Sequence, residues 1–515
     1  MAAQGNYATC GELPLKSHCL PFVQIPHASR LFTDFLAYVP KVQEFYPKSP
    51  RFSDWFEQSA AGLQYDQQRR ERVCTALERQ NVSWDASAKT LENIARIKAG
   101  ACAVVTGQQV GLFGGPLFSL LKALTAVKLA EHATSAGVEC VPIFWLATED
   151  HDLEEVNHVQ VPAADGSLHS VSVSSAGTLH SPVGEIKFGH EMEEALKQVS
   201  DLLGDSEIVS TLRETYRPGE TFGTGFARLL ARLFAEWGVI LVDASDSELH
   251  RIAQPIYEAA VERSEDIYEA LQRRGSALEA AGYNQQVKVT ASSSLLFSIR
   301  EGARTPVHRR GNATGQIEFE IGEEKLSEAQ LLRGIRTSPQ NFSPNVLLRP
   351  IVQDYLLPTI AYAGGAAEIA YFAQAAEVYQ ALLGKITPIV PRFSATLVDN
   401  KQQALLDRYG LDLPDIFQAP ERLQERLAAA TLPKGLSDSL DKAEASLHES
   451  MGRIRQDLEI LDKTLVDSAN TAESKMLHQL AGLRAKAARA EVRHSEVLAR
   501  HADLLNHGLY PDKSL

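Results

Sequence analysis

Three short clusters along the chain combine side chains that can hold anions or move protons. The first is TGQQVGLFGGP (106–116), in which Gly107, Gly111, Gly114 and Gly115 permit close backbone approach and Gln108 and Gln109 add amide donors. A helix is expected to start directly after it, and free N–H groups at a helix N-terminus attract anions. The string contains neither GxxxxGK[ST] nor GxGxxG in register with its strand, which excludes a P-loop or dinucleotide fingerprint. A tight turn without a ligand is the plain alternative.

The second cluster, TEDHDLEEVNHV, sets Glu149, Asp150, His151 and Asp152 side by side, with Asn157 and His158 just beyond. Histidine among carboxylates can transfer protons, and oxygen ligands of this kind could hold Mg²⁺ beside a nucleotide. The spacing matches no zinc pattern, so no zinc is expected and no metal ligand is assigned. The third cluster lies in LLRPIVQDYLLPTIAYAGGAAEIAYF, with Arg349, Asp354, Gly364, Gly365, Glu368 and Tyr371, and PRFSAT adds Arg392 and Ser394. Glu368 near a helix start is stabilised by the helix dipole even without a function. Lys122, two turns into its helix, reads as a solvated lysine.

The elements around these clusters alternate. ACAVVT (101–106) reads as a buried strand, Leu117, Leu120, Leu121, Leu124 and Val127 carry helical spacing, and CVPIFWLA (140–147) is a second strand. Strand, loop, helix and strand form a βαβ unit and imply a parallel sheet, with the clusters at its carboxyl edge. GVILVDAS (238–245), LPTIAYAGG (357–365) and ITPIVPRF (386–393) continue the pattern. The expected fold is α/β: a core in residues 1–160, 223–249 and 346–405, interrupted by insertions at 161–222 and 250–345. From 406 to 515 the strand signal fades. Leu440, Leu447, Met451, Ile454, Leu458, Leu461 and Leu465, then Met476, Leu480, Leu483, His494, Val497, His501 and Leu504, predict two long helices in an antiparallel coiled coil.

At 515 residues the chain exceeds one compact core, and 44% hydrophobic with 23% charged residues is the balance of a globular protein. A formal charge of −14 supplies no basic footprint for nucleic acid or an anionic membrane. Five cysteines without a CxxC pair read as reduced thiols, with Cys102 and Cys140 in the core, and no leader or membrane span is evident, so a cytoplasmic location is expected.

In this order, VVTGQQVGLFGGPLFSLLK, VPIFWLATEDHDLEEVNH, LLRPIVQDYLLPTIAYAGGAAEIAYF and PRFSAT, followed by a helical arm, resemble the bacillithiol biosynthesis cysteine-adding enzyme family, BshC. The resemblance spans nearly the whole chain. It implies a Rossmann-like core with two connective-peptide insertions, a C-terminal coiled coil, a homodimer, and a cysteine ligase that joins the cysteine carboxyl to the amine of glucosaminyl-malate. The implied core is similar to class I aminoacyl-tRNA synthetases, yet neither HxGH nor KMSKS occurs, which argues against an adenylate route. The family's tail continues past LYPDKSL, so the chain is expected to be cut short at Leu515.

On this reading ATP or another nucleotide, with Mg²⁺, activates the acyl group. The glycine loop binds an anion, His151 oriented by Asp150 or Asp152 takes the amine proton, and Arg349 and Arg392 pair with carboxylate or phosphate. Two other functions fit the same residues: a nucleotidyltransferase-like enzyme that adenylates another small acid, and a nucleotide-responsive coiled-coil scaffold.

Overall fold

The computed structural model describes residues 16–511 except 164–166, 175–179, 312–316, 419–421, 425, 428–431, 433 and 495, with the backbone alone at 434, 488, 489 and 491–494. Cys10 and the end of the tail lie outside the described residues. In chain order the strands are β1 (Cys102–Gln108), β2 (Cys140–Leu146), β3 (His158–Pro162), β4 (Leu168–Ser172), β5 (Ile240–Asp243), β6 (Ser293–Arg300), β7 (Ala303–Gly311), β8 (Ile317–Ile321), β9 (Glu324–Ser327), β10 (Phe342–Pro344), β11 (Thr359–Gly364) and β12 (Ile389–Pro391).

The central sheet has the order β12-β11-β1-β2-β5 with every neighbouring pair parallel. Its strands are short apolar runs because both faces are covered. In β1, Ala103 and Val105 join one core cluster while Cys102 and Val104 join another, the alternation of a strand buried on two sides. The helix Leu117–Ser135 contributes Ala126, Ala130 and Ala133 to the second cluster. Cys102 and Cys140, directly paired across β1 and β2, are buried and free. From β1 the chain steps outward to β2 and then β5, and returns on the other side through β11 and β12. The direction of winding therefore reverses between β1 and β11, which opens a crevice at the carboxyl ends of those strands.

Before β1 the chain folds into helices, including Arg30–Ala37, Gln67–Ser83 and Ala88–Ala99, for which the sequence pattern gave no assignment. Asn81, on the second of them, closes the exposed edge of β5. Its side chain donates to the Leu241 carbonyl at 2.9 Å and accepts from the Leu241 N–H at 3.1 Å, so an amide takes the place of a further strand.

The two stretches between the core strands differ in kind. One holds the β3–β4 hairpin and the helices Glu191–Leu203 and Glu207–Thr215; the other holds the antiparallel sheet β10-β6-β7-β8-β9. The helix Ser247–Glu262 runs across the expected limit at residue 250.

The C-terminal helices Lys434–Leu461 and Val466–His494 pack on each other as a hairpin. The second apolar series does not continue along this arm. In the helix Glu496–Leu509 the buried positions are Leu498, Ala502, Leu505 and Leu509, one residue beyond the expected Val497, His501 and Leu504. They pack against Leu406, Ile416 and Phe417 at the base of the arm. Ile454, Leu461, Met476 and Leu483 stay exposed. Among the described residues no helix is long and apolar enough to cross a membrane.

Gly107 sits where β1 meets the crevice. A Cβ there would lie 2.8 Å from the Trp145 carbonyl oxygen and 3.0 Å from the Trp145 Cβ, both on the neighbouring strand. Gly107→Ala is expected to lower stability by about 1–3 kcal/mol in urea unfolding, the ordinary cost of overpacking.

Candidate active site

A cavity of about 720 Å³ occupies the crevice, and all five central strands deliver residues to it. Gly107, Gln108 and Gln109 come from the end of β1, Trp145, Glu149 and Asp150 from β2, and Ala244 from the turn after β5. Tyr362, Gly365, Glu368 and Tyr371 follow from β11 and its helix, and Arg392 from β12. Phe297, Arg304, Pro344, Asn345 and Val346 of the antiparallel sheet region and Arg349 close it from the other side.

The floor of the site is an ion pair. Lys122, expected as a solvated side chain, is 3% exposed, and its Nζ lies 2.5 Å from Glu368 Oε2. The same ammonium donates to the Gly107 carbonyl at 2.9 Å and to Gln108 Oε1 at 2.8 Å. Helical spacing turns position 122 inward, and only a long cationic side chain there can reach both the end of β1 and the helix after β11. Glu368 in turn accepts from the Tyr362 hydroxyl at 2.5 Å and the Gly365 N–H at 2.7 Å. Burial alone would raise its pKa, but Lys122 and these donors hold the carboxyl below its ordinary value. Burial lowers the pKa of Lys122, with Glu368 opposing that shift and Arg349 and Arg392 adding to it.

Two guanidinium groups stand beside this pair. Arg349 donates to the Tyr371 hydroxyl at 2.8 Å and to Gln353 Oε1 at 2.9 Å, and it lies over the Tyr362 ring. Burial pushes the Tyr371 phenol up to about 12, Arg349 opposing, so it stays protonated. Arg392 donates to Ser394 Oγ at 2.8 Å and lies over the Phe118 ring. At the β11–β12 end, then, three cations surround one carboxylate. The β2 end is acidic instead: Glu149 and Asp150 face it against the single guanidinium of Arg304, which is held by Ser343, the Pro344 carbonyl and His151. The cavity is electrically polarised along its length.

The glycine loop does not form a phosphate cradle. Three of its N–H groups are taken within the fold: Gly111 donates to the Gln109 carbonyl, Gly114 to the Gly111 carbonyl and the Tyr216 hydroxyl, and Gly115 to the Leu112 carbonyl. Phe113 adopts φ 51°, and Gly114 and Gly115 are also at positive φ, so these glycines serve the turn itself. Gly111, Gly114 and Gly115 lie outside the cavity lining.

The histidine cluster is also rearranged relative to its expected use. His151 Nδ1 faces Arg304 at 3.2 Å and is 3.8 Å from Asp150 Oδ1. Burial, with Arg304 next, lowers its pKa. A neutral ring that accepts from Arg304 has its remaining nitrogen as a donor, which does not suit a base oriented by a carboxylate. Asp150 accepts from the His151 backbone N–H at 2.7 Å and from Gln109 at 2.8 Å, and so shapes the turn. Asp152 caps the short helix Leu153–Val156, Asn157 ends it, and His158 is exposed on β3. Gly364 and Ser394 support the lining from behind: a Cβ on Gly364 would meet Ile389 Cδ1 at 2.9 Å, and Ser394 holds Arg392. Asp354 is buried and receives a hydrogen bond from the Tyr379 hydroxyl, a structural position. Among the described residues no group of three metal-binding side chains is assembled.

The sequence reading missed Phe118, Trp145, Tyr362, Phe297, Arg304 and Asn345. Strand alternation could have flagged Trp145 and Tyr362 as facing the edge. Nothing local marks Phe297 or Arg304, which the tertiary fold brings from the antiparallel sheet.

The chain matches the family model for bacillithiol biosynthesis BshC, N-terminal Rossmann-like domain, over residues 15–393, and that for the BshC C-terminal coiled-coil domain over 395–515. It is 47% identical over 96% of its length, and 92% of the relative's, to a Koribacter versatilis protein named "Putative cysteine ligase BshC". Proteins of the same name from Solibacter usitatus and Salinibacter ruber are 36% and 29% identical, over 96% and 94% of this chain and 92% and 89% of theirs.

Removing one partner of the buried pair strands the other as an uncompensated charge. Lys122→Met and Glu368→Gln are each expected to cost about 3–5 kcal/mol in urea unfolding, and the double variant clearly less than their sum. Additive losses would show that the two groups do not interact.

Proposed function

The chain belongs to the BshC family of bacillithiol biosynthesis, matching both of its domain models in order, and on that premise we propose that it is a ligase that joins the carboxyl of cysteine to the amine of glucosaminyl-malate. This amide bond completes bacillithiol, as the last step of its formation. The observation that carries the reading is the polarity of the cavity. Glucosaminyl-malate bears two carboxylates at one end and an amine on its sugar at the other. Lys122, Arg349 and Arg392 form an end that suits the carboxylates, and the acidic β2 end suits the amine.

The two arginines are pre-set for this task. Tyr371 and Gln353 fix the plane of Arg349, and Ser394 fixes that of Arg392, so little side-chain freedom is lost when a carboxylate docks. Tyr362 and Phe118 back the guanidinium faces and keep water from one side of each. Glu368 balances part of the positive charge, which lets three cations converge in a buried site.

Amide formation from a free carboxylate is uphill in water, so the cysteine carboxyl must arrive activated. ATP with Mg²⁺ is the proposed source, bound away from Gly111, Gly114 and Gly115, whose N–H groups are taken within the fold. The exposed apolar stripe of Ile454, Leu461, Met476 and Leu483 supports a second copy of the chain as partner. The free cysteines fit a reducing cytoplasm.

Mass spectrometry of a reaction with glucosaminyl-malate, cysteine, ATP and Mg²⁺ is expected to show the condensed thiol, and a control without ATP none. Arg349→Lys keeps the charge but loses the fork, and is expected to raise KM for glucosaminyl-malate about tenfold with a smaller effect on kcat. Product without ATP would overturn the activation step, and no product with any acyl donor would overturn the ligase.

A further inference from the structure

At the acidic end of the cavity one carboxylate is incompletely satisfied. Glu149 is 6% exposed and lines the cavity; its Oε1 is enclosed and turned back toward His250, and its other oxygen accepts no hydrogen bond from the described residues. Its neighbour Asp243 shows what satisfaction looks like there: one oxygen accepts from the Thr148 hydroxyl, the Ser245 N–H and the Ser245 hydroxyl. A buried carboxylate oxygen without a donor costs roughly 1–3 kcal/mol, more when charged, so its place at a cavity wall calls for a donor from a ligand.

Behind Glu149 stands a short chain of polar groups that no part of the site has so far used. His250 Nε2 lies 3.2 Å from Glu149 Oε1, an ion-pair distance whose geometry falls short of a hydrogen bond. The other ring nitrogen, Nδ1, is 3.0 Å from the Tyr257 hydroxyl. Both His250 and Tyr257 are buried on the helix Ser247–Glu262, one end of which adjoins the turn after β5. An ionised Glu149 can only accept, which assigns the ring proton to Nε2, the nitrogen that faces it, and Nδ1 then accepts from the Tyr257 O–H. The chain thus runs one way, phenol to imidazole to carboxylate, and holds Glu149 as an acceptor. A carboxylate at the cavity wall with one oxygen left open, at the end away from Lys122, Arg349 and Arg392, matches a ligand's ammonium group.

We propose that Glu149, positioned by His250 and Tyr257, is the amine subsite of the cavity: it binds the substrate's ammonium group and takes one proton from it. The transfer balances simply. The ammonium N–H bond breaks, the proton forms an O–H bond on Glu149, and the nitrogen keeps the electron pair with which it attacks the activated carboxyl. Glu149 touches the substrate; His250 and Tyr257 act through it. The inference rests on the ligase reading, which places the dicarboxylate at the opposite end.

The test uses calorimetric binding of two ligands to the full chain: glucosaminyl-malate and the otherwise identical glucosyl-malate, with a hydroxyl in place of the amine. The wild type is expected to prefer the amine by about tenfold or more. Glu149→Gln is expected to erase that preference while it still binds glucosyl-malate, because the carboxylate end is untouched. His250→Gln and Tyr257→Phe are expected to reduce the preference in graded fashion, and Tyr257→Phe guards against a misfolded histidine variant. Equal wild-type affinity for the two ligands, or an undiminished preference in Glu149→Gln, would overturn the amine subsite alone. Failure of the wild type to bind either ligand would overturn it together with the ligase reading.

Discussion

The Lys122–Glu368 ion pair is the contact on which the site depends. It bridges the helix that follows β1 and the helix that follows β11, the two strands between which the sheet reverses its winding. Two charges taken from water at that point carry a desolvation cost of several kcal/mol each, which their attraction offsets only with further hydrogen bonds. Those bonds are present: the Gly107 carbonyl and Gln108 for the ammonium, Tyr362 and the Gly365 N–H for the carboxylate. Each comes from the carboxyl end of β1 or β11. The crevice is therefore held at one width by groups that also form its floor.

Polarity follows from that floor. Glu368 offsets one of the three positive charges of Lys122, Arg349 and Arg392, so this end keeps a net positive charge. At the far wall two carboxylates, Glu149 and Asp150, outnumber the one guanidinium, Arg304. A ligand with carboxylates at one end and an amine at the other meets complementary fields in a single orientation. That is the specificity a condensation needs, since the amine must face the acyl group and not the arginines.

Much of the core was legible in the sequence because parallel strands buried on both faces are continuous apolar runs. ACAVVT, CVPIFWLA and LPTIAYAGG became β1, β2 and β11. The clusters at the strand ends were placed at the carboxyl edge, and ten of the residues named there line one cavity: Gly107, Gln108, Gln109, Glu149, Asp150, Arg349, Gly365, Glu368, Tyr371 and Arg392. What pattern could not show was pairing across the fold. Lys122 looked solvated because its partner is more than two hundred residues away. His151 looked like a base because its acidic neighbours are adjacent in sequence, whereas Arg304 meets it only in space. His250 stood in a helix with nothing local to mark it. The glycine loop advertised free N–H groups, but its own carbonyls and Tyr216 take those of Gly111, Gly114 and Gly115.

The central claim is that the cations beside Glu368 hold a dicarboxylate. Calorimetric titration of malate alone into the purified chain tests it without any assumption about acyl activation. The account predicts one site whose binding is lost in Arg349→Ala and Arg392→Ala and kept in His158→Ala, an exposed residue of β3. Malate binding that survives both arginine substitutions, or no binding to the wild type, would contradict it.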